Sequence, residues 1–497
     1  MGNASGPNVS ANSANYNYYS EFSFISFSGF INENYFSVQT PEKNLVQNIE
    51  ISHGITPNPF TYKKDAFLGL LLKSKYDGIG KREPIDLSIA LDISGSMFCT
   101  DENETKTRLD LAKEALIKLV STLDEKNDRL SLITFNQKTE KIFGLLTKSE
   151  IQKNEINKLE NIKAGGGTNL IDAAMSAMDN LDLSENNLKK KRIIFITDAY
   201  YDDTSEELFN LIKLNAQDLK VPCTIMAISS ESNLALADKL CHFDGCNYFT
   251  IAKSSDLEYY LVQNFDYFFF PIAYQTKLKI TSEKVRIIKS IGGENDVLDE
   301  LSNQKNNEKG KGDNVIEFNF GTSFSSKMIQ LDKTYSKGGL ILLKLSPEDI
   351  NNMNPDEEIK FDFSLEYIQT DNNSKSCQNY SYVIKPKEKK NKEFYKDNNI
   401  KKGISIYYFV NALNYFVESE REKKTDKDKK TKERDMKMLE TRQVIEDNLK
   451  NNFGNEPDNE ENKRILYNYL NLVKRRYEGF KTFVVRFYNL DAAPPVF

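Results

Sequence analysis

Tryptophan is absent from the chain, histidine occurs twice (His53 and His242) and cysteine five times. Neither histidine stands in an H-E-x-x-H string, which excludes the metalloprotease helix that needs two imidazoles one turn apart. The cysteines (Cys99, Cys223, Cys241, Cys246 and Cys377) form no C-x-x-C pair, so a zinc ribbon or RING module has no ligand set. Their odd, scattered set fits a reducing compartment, with Cys223 and Cys241 packed as small apolar side chains. His242 adjoins Cys241 and lies near Cys246, but no further ligand has suitable spacing, and it reads as a buried turn neighbour. G-x-S-x-G and P-loop patterns are also missing. Ser94-Gly95-Ser96 superficially suggests a nucleophile, yet no histidine is near it in sequence to act as base, and catalysis is not expected.

Basic excess is lacking too. The formal net charge is −6 and the pI about 5.5, against a surface that binds nucleic acid by displacing counterions from phosphates. No apolar run is long enough for a membrane span. The most apolar late stretch, LEYYLVQNFDYFFFPIAY, is broken by Glu258, Gln263, Asn264 and Asp266 and ends near Pro271. The first twenty residues hold no Lys or Arg and no aliphatic core, so a secretory signal is not expected. The myristoylation pattern that Gly2 would open requires Ser or Thr where the chain has Gly6. A soluble cytoplasmic protein without nucleic-acid partners is the expectation.

What the chain does have is a change of periodicity along its 497 residues, a length that suggests two or three domains. Residues 1–20 are rich in Asn, Ser and Gly and read as a disordered tail. Residues 21–84 read as a β segment, with strands at FSFISFSGF, around 48–52 and at AFLGLLLKSKY. From 85 to 270 strands and helices alternate. The strands DLSIALD, RLSLITF, RIIFITD and VPCTIMAI are almost solidly apolar, as parallel strands covered on both faces must be. Between them Leu109, Ala112, Leu116, Leu119 and Val120 keep helical spacing behind a Thr107/Asp110 cap, and Leu170, Ala174, Met178 and Leu181 form a second stripe. A third helix is expected from Thr204. A short antiparallel edge strand is expected at the segment ending in IFGLL. Over 271–400 the pattern becomes two-residue alternation without helices, the pattern of an antiparallel sandwich. The strands before 85 are expected to pair with these, making 85–270 an insertion. From 401 to 497 the chain reads as helical, with stripes at Ile406, Val410, Leu413 and Val417 and at Leu466, Leu470, Val473 and Tyr477. A charged run over 419–437 reads as a solvated helix or loop, and FKTFVVRFYNL as a last strand.

Three loops carry the chemistry. In PIDLSIALDISGSM an apolar strand ends at Asp92, and Ser94 and Ser96 follow at alternate positions. In KAGGGTNLIDAAM, Gly165, Gly166 and Gly167 precede Thr168 at a helix start. In KKKRIIFITDAYYDD a second apolar strand ends in Thr197 and Asp198. Open α/β sheets bind their ligands at the carboxyl ends of their strands. Carboxylates and hydroxyls gathered there form an oxygen cage suited to a hard divalent ion, magnesium first, with manganese or calcium as substitutes.

These three loops resemble the metal-ion-dependent adhesion site, D-x-S-x-S…T…D, of von Willebrand factor A domains. The resemblance implies a Rossmann-like, doubly wound α/β domain. It implies that Ser94, Ser96 and Thr168 supply hydroxyl ligands, that Asp92 and Asp198 lie just behind and hold coordinated water, and that one position stays open for an acidic side chain of a partner protein. One position departs from the family, which usually has Gly after the final acid where this chain has Ala199. A wider stretch is similar to bacterial chloride-channel-like and inter-alpha-trypsin-inhibitor-type A-domain proteins. The implied function is a non-enzymatic, cation-dependent protein-interaction module. A scaffold with a purely structural ion is the alternative, and a hydrolase a remoter one.

Overall fold

The computed structural model describes residues 34–37, 46–59, 63–78, 82–101, 104–184, 189–198, 206–228, 243–251, 253–291, 314–330, 334–370 and 372–423, with positions 31, 61 and 240. The strand expected at FSFISFSGF, the start of the third helix at Thr204, Ala199, Cys241, His242 and everything after residue 423 lie outside this set.

The chain begins with β1 (Tyr35–Ser37), β2 (Gln47–Pro57) and β3 (Lys64–Ser74), and β2 and β3 pair antiparallel along their whole length. It then enters an α/β unit through β4 (Ile85–Asp92), β5 (Arg129–Phe135), β6 (Thr139–Leu146), β7 (Lys190–Thr197), β8 (Cys223–Ile228) and β9 (Asn247–Ile251). These six strands form one sheet in the order β6-β5-β4-β7-β8-β9, parallel except for the β6 edge. The reason for the solid apolar runs is visible in the packing. Ile89, Leu91, Ile194 and Ile196 face a core built with Leu109, Ala112, Leu116 and Leu119 of the helix Arg108–Thr122. Their neighbours Ala90, Ile193 and Phe195 face the opposite core, with Leu170, Ala174 and Met178 of the helix Leu170–Asp179 and Leu208 and Ile212 of the helix Glu206–Gln217. The aromatic stretch before Pro271 belongs to the first of these cores through Tyr260, Leu261, Phe265 and Phe269. Among the described residues no helix is long and apolar enough to cross a membrane.

Past Phe270 the chain builds β10 (Pro271–Ser282), β11 (Ile287–Ile291), β12 (Asn314–Phe324), β13 (Met328–Gln330), β14 (Thr334–Lys337), β15 (Leu340–Leu345), β16 (Ile359–Gln369), β17 (Lys375–Ile384) and β18 (Phe394–Tyr395). Two sheets result, β12-β10-β16-β17 and β11-β15-β3-β2-β18, while β1 joins β14 and β13 in a small third one. The two large sheets share one core, in which Leu68, Leu70 and Leu72 of β3 meet Leu278 and Ile280 of β10 and Phe361, Phe363 and Leu365 of β16. β3 pairs with β15, so the α/β unit is spliced between two strands of a sandwich. The helix Asn398–Lys423 lies on the outer face of the five-stranded sheet. Gly54 and Gly69 clear its path: a Cβ there would stand 2.5 Å from Ile404 Cδ1 and 2.8 Å from Ile400 Cδ1. Tyr408 from the helix donates to Asp65 Oδ2 at 2.9 Å, and Lys344 pairs with the same oxygen at 2.7 Å.

Candidate metal centre

β4 and β7 are parallel neighbours, so their last residues stand side by side at one edge of the sheet. Thr197 Oγ1 donates to Asp92 Oδ2 at 2.6 Å across that edge. The other oxygen, Asp92 Oδ1, accepts the backbone N–H of Ser94 at 2.7 Å, an Asx-type turn that swings the chain off the strand. A single 3-10 turn, Gly95–Phe98, follows; it buries Met97 in the core and leaves Phe98 72% exposed at the rim. The Ser94 and Ser96 hydroxyls come to 3.1 Å of each other, and Ser96 Oγ donates to Asp198 Oδ1 at 2.7 Å. Burial pushes the Asp92 carboxyl above the usual range, against the bonds from Thr197 and Ser94, and the nearby Asp198 adds to the rise.

The glycine loop is tied to the same edge by its backbone. Gly165 N donates to Ile93 O at 2.7 Å and Gly95 N to Gly166 O at 3.0 Å. Gly166 has φ +92, and a Cβ on it would fall 2.1 Å from Gln137 Oε1, so only glycine fits there. Asn136 and Gln137, just past the end of β5, brace the loop: Asn136 Nδ2 donates to Gly165 O at 2.8 Å and Gly167 N donates to Gln137 Oε1 at 2.7 Å. Thr168 follows with an exposed side chain, and Asn169 then caps the next helix. The structure therefore gathers Asp92, Ser94, Ser96 and Asp198 in one connected set and brings the loop of Thr168 against it.

Sequence reasoning missed a further charged group. Arg108, the first residue of its helix, donates from Nη1 to Asp198 Oδ2 at 2.7 Å and from Nε to Asp101 Oδ1 at 2.8 Å. Asp101 in turn accepts the backbone N–H and the hydroxyl of Ser254, both at 2.7 Å. Nothing in the spacing of Arg108 marks it. Asn136 carries a readable signal, because it stands one residue past the end of β5 as Asp198 stands one past the end of β7, and Gln137 adjoins it.

The donor set fits a small, hard cation. Adjacent ligands of an octahedral magnesium shell lie ~3 Å apart, and the Ser94–Ser96 separation of 3.1 Å is of that size. Among the described residues no group of three or more His, Cys, Asp or Glu side chains is placed to hold a metal ion.

Residues 87–200 match the family model of the von Willebrand factor type A domain, and the chain carries such a domain. No curated protein matches the chain. Among solved structures it is similar to a von Willebrand factor type A protein from Catenulispora acidiphila, with 12% identity, 84% of this chain and 89% of that one covered, and a TM-score of 0.43. It is also similar to VWA2, the ArnB paralog of Sulfolobus acidocaldarius, with 16% identity, 85% and 98% covered, and a TM-score of 0.36.

Proposed function

We propose that this protein is a non-catalytic, cation-dependent interaction module in which Ser94, Ser96 and Thr168 hold a magnesium ion. Manganese or calcium would substitute. Asp92 and Asp198 stand behind and orient its waters, and a carboxylate of a partner protein completes the shell. The observation that carries this reading is the convergence of the Ser94, Ser96 and Asp198 oxygens at the carboxyl edge of a parallel sheet. When bound, the ion supplies a concentrated positive charge that neutral hydroxyls leave largely uncompensated, and an Asp or Glu of the partner answers it. Phe98 offers an apolar contact beside that point.

A purely structural ion is the weaker reading. The three loops are already stitched by their own hydrogen bonds, Gly95 to Gly166 and Gly165 to Ile93 between two of them, and Thr197 to Asp92 and Ser96 to Asp198 to the third. The test is capture of partners in magnesium and in EDTA by wild type and by Asp92→Ala, with calorimetry of magnesium binding and circular dichroism on both proteins. Capture that requires magnesium and is lost in a folded Asp92→Ala supports the proposal. Equal capture in all four arms removes it.

A further inference from the structure

β17 is the last strand of the sheet β12-β10-β16-β17, and among the described residues it has a neighbour strand on one side only. Its ladder with β16 runs without a register shift over all 10 residues. The other outer strands are short, irregular or buried. β18 has 2 residues, β1 and β13 have 3 each, and β11 has 5 with a shift in its ladder. The ladders of β6 and β12 shift more than once, and β9 is buried at Tyr248, Phe249 and Ile251. Proteins ordinarily blunt a sheet edge with charge, proline or bulges, because its bare N–H and C=O groups invite another strand. From Ser376 to Ile384, β17 has no charge, no proline and no bulge. Lys375, at its start, pairs with Glu366 of β16 at 3.1 Å.

The hairpin fixes which groups are bare. Gln369 N donates to Ser374 O at 2.9 Å, so this pair is a hydrogen-bonded one. Bonded and non-bonded pairs alternate along an antiparallel ladder. With the register unbroken, Lys375, Cys377, Asn379, Ser381 and Val383 therefore aim their N–H and C=O away from β16. Among the described residues no hydrogen bond reaches these outward backbone groups. The side chains of Lys375, Cys377, Asn379 and Ser381 are exposed as well.

A strand that completes this edge must present its own outward groups at every second residue and keep its side chains on matching faces. β17 meets both conditions for itself. Turned about a two-fold axis through Asn379, it sets Cys377 against Ser381, Lys375 against Val383 and Asn379 against its own copy. No like charges then stand opposite one another, which is what such a pairing must avoid. The contact is isologous and closes on itself. We propose that β17 pairs antiparallel with β17 of a second copy about an axis near Asn379, joining the two sheets into one. This pairing does not rest on the metal centre.

The test is sedimentation equilibrium of the whole chain across the micromolar range. EDTA removes metal ions, and a reductant keeps the exposed Cys99 and Cys377 from linking copies. The mean mass of wild type is expected to climb from 57.1 kDa toward twice that value. Asn379→Pro removes an outward N–H and leaves the bonds to β16 in place, and is expected to raise the dissociation constant by about tenfold or more. Asn379→Lys sets two like charges across the axis, is expected to weaken the dimer in the same direction, and keeps the test in force if Asn379→Pro does not fold. Asn379→Thr, neutral and suited to a strand, is expected to stay near wild type. A chain that is monomeric throughout, or a dimer undiminished in both Asn379→Pro and Asn379→Lys, overturns the proposal. Loss of the dimer in Asn379→Thr also overturns it, since backbone pairing does not need the Asn379 side chain.

Discussion

Arg108 is the sharpest handle on the proposed metal centre, because its positive charge sits close to the point where we propose that a cation binds. Its guanidinium holds Asp198 Oδ2 at 2.7 Å, while the other oxygen of that carboxylate receives Ser96 at 2.7 Å. An ion held by Ser96 would therefore lie about 6 Å from the arginine's charge. Across 6 Å a unit charge repels a divalent ion by ~1.4 kcal/mol at the dielectric of water and by ~5.5 kcal/mol at an effective value of 20. Asp198 and Asp101 offset most of the Arg108 charge, so the lower figure governs. Arg108→Gln is accordingly expected to tighten magnesium binding by about tenfold in calorimetry. Arg108→Lys, which keeps the charge, is expected to stay near wild type. In EDTA, Arg108→Gln should melt at a lower temperature, since Asp198 loses its ion-pair partner at a site where its side chain is 0% exposed. Magnesium affinity in Arg108→Gln that is unchanged or weaker than wild type would refute the electrostatic reasoning, and would mean that Arg108 matters chiefly for holding Asp198 in place.

Three further expectations follow from packing and protonation. Asp128 is fully buried and grips Arg82 through both oxygens, at 2.8 and 2.5 Å, while also accepting from Ile85 N and Asp124 N. Asp128→Ala should cost about 3 kcal/mol in urea unfolding, and a loss under 1 kcal/mol (~0.5, the scale of a surface pair) would count against a structural role for this clamp. His53 is buried against Phe394 and bonds the Tyr382 hydroxyl at 2.7 Å; burial pushes its pKa down from 6.5 to about 4, against the opposing pull of Glu388. Between those two values the unfolded chain takes up a proton that the folded chain refuses. Stability is therefore full above pH 6.5 and falls toward pH 4, by at most ~3 kcal/mol from this group. Urea midpoints of wild type and His53→Gln across this window check it, and identical slopes would exclude His53 as the source. Gly54→Leu should drive side-chain atoms into Ile404 and Tyr395, lowering stability by about 1–3 kcal/mol and exposing the helix Asn398–Lys423 to proteolysis.

Much of this architecture is legible in the sequence because burial on both faces leaves a plain trace. Four mostly apolar strands announce the parallel sheet, and Thr107 caps its helix by accepting Asp110 N at 3.1 Å, as the spacing predicts. The splice of the α/β unit into a sandwich follows from the change of period at Pro271, and the β3–β15 pairing matches it. Several short or edge strands escape notice, β9 and β17 among them. β9 is a five-residue NYFTI whose aromatics look like part of the following segment, and β17, KSCQNYSYVI, lies at a sheet edge with polar residues on its outer face. The buried thiol partner of Cys223 is Cys246, whose Sγ accepts the Cys223 N–H at 3.2 Å, whereas Cys99 and Cys377 are exposed. At the candidate metal centre the strand-end acids and hydroxyls are readable from spacing. Arg108 is not, because its contact with Asp198 joins positions 90 residues apart through the fold alone.

The splice of β3 to β15 also sets a clock. Leu70 and Ile341 become neighbours in the ladder although roughly 270 residues of chain are synthesised between them, and contacts so distant are slow to form. The parallel sheet, by contrast, is complete in the chain before β15 leaves the ribosome. The nascent protein thus carries a finished insert on an unfinished host, and the β2–β3 hairpin must keep an apolar flank waiting until its other half arrives.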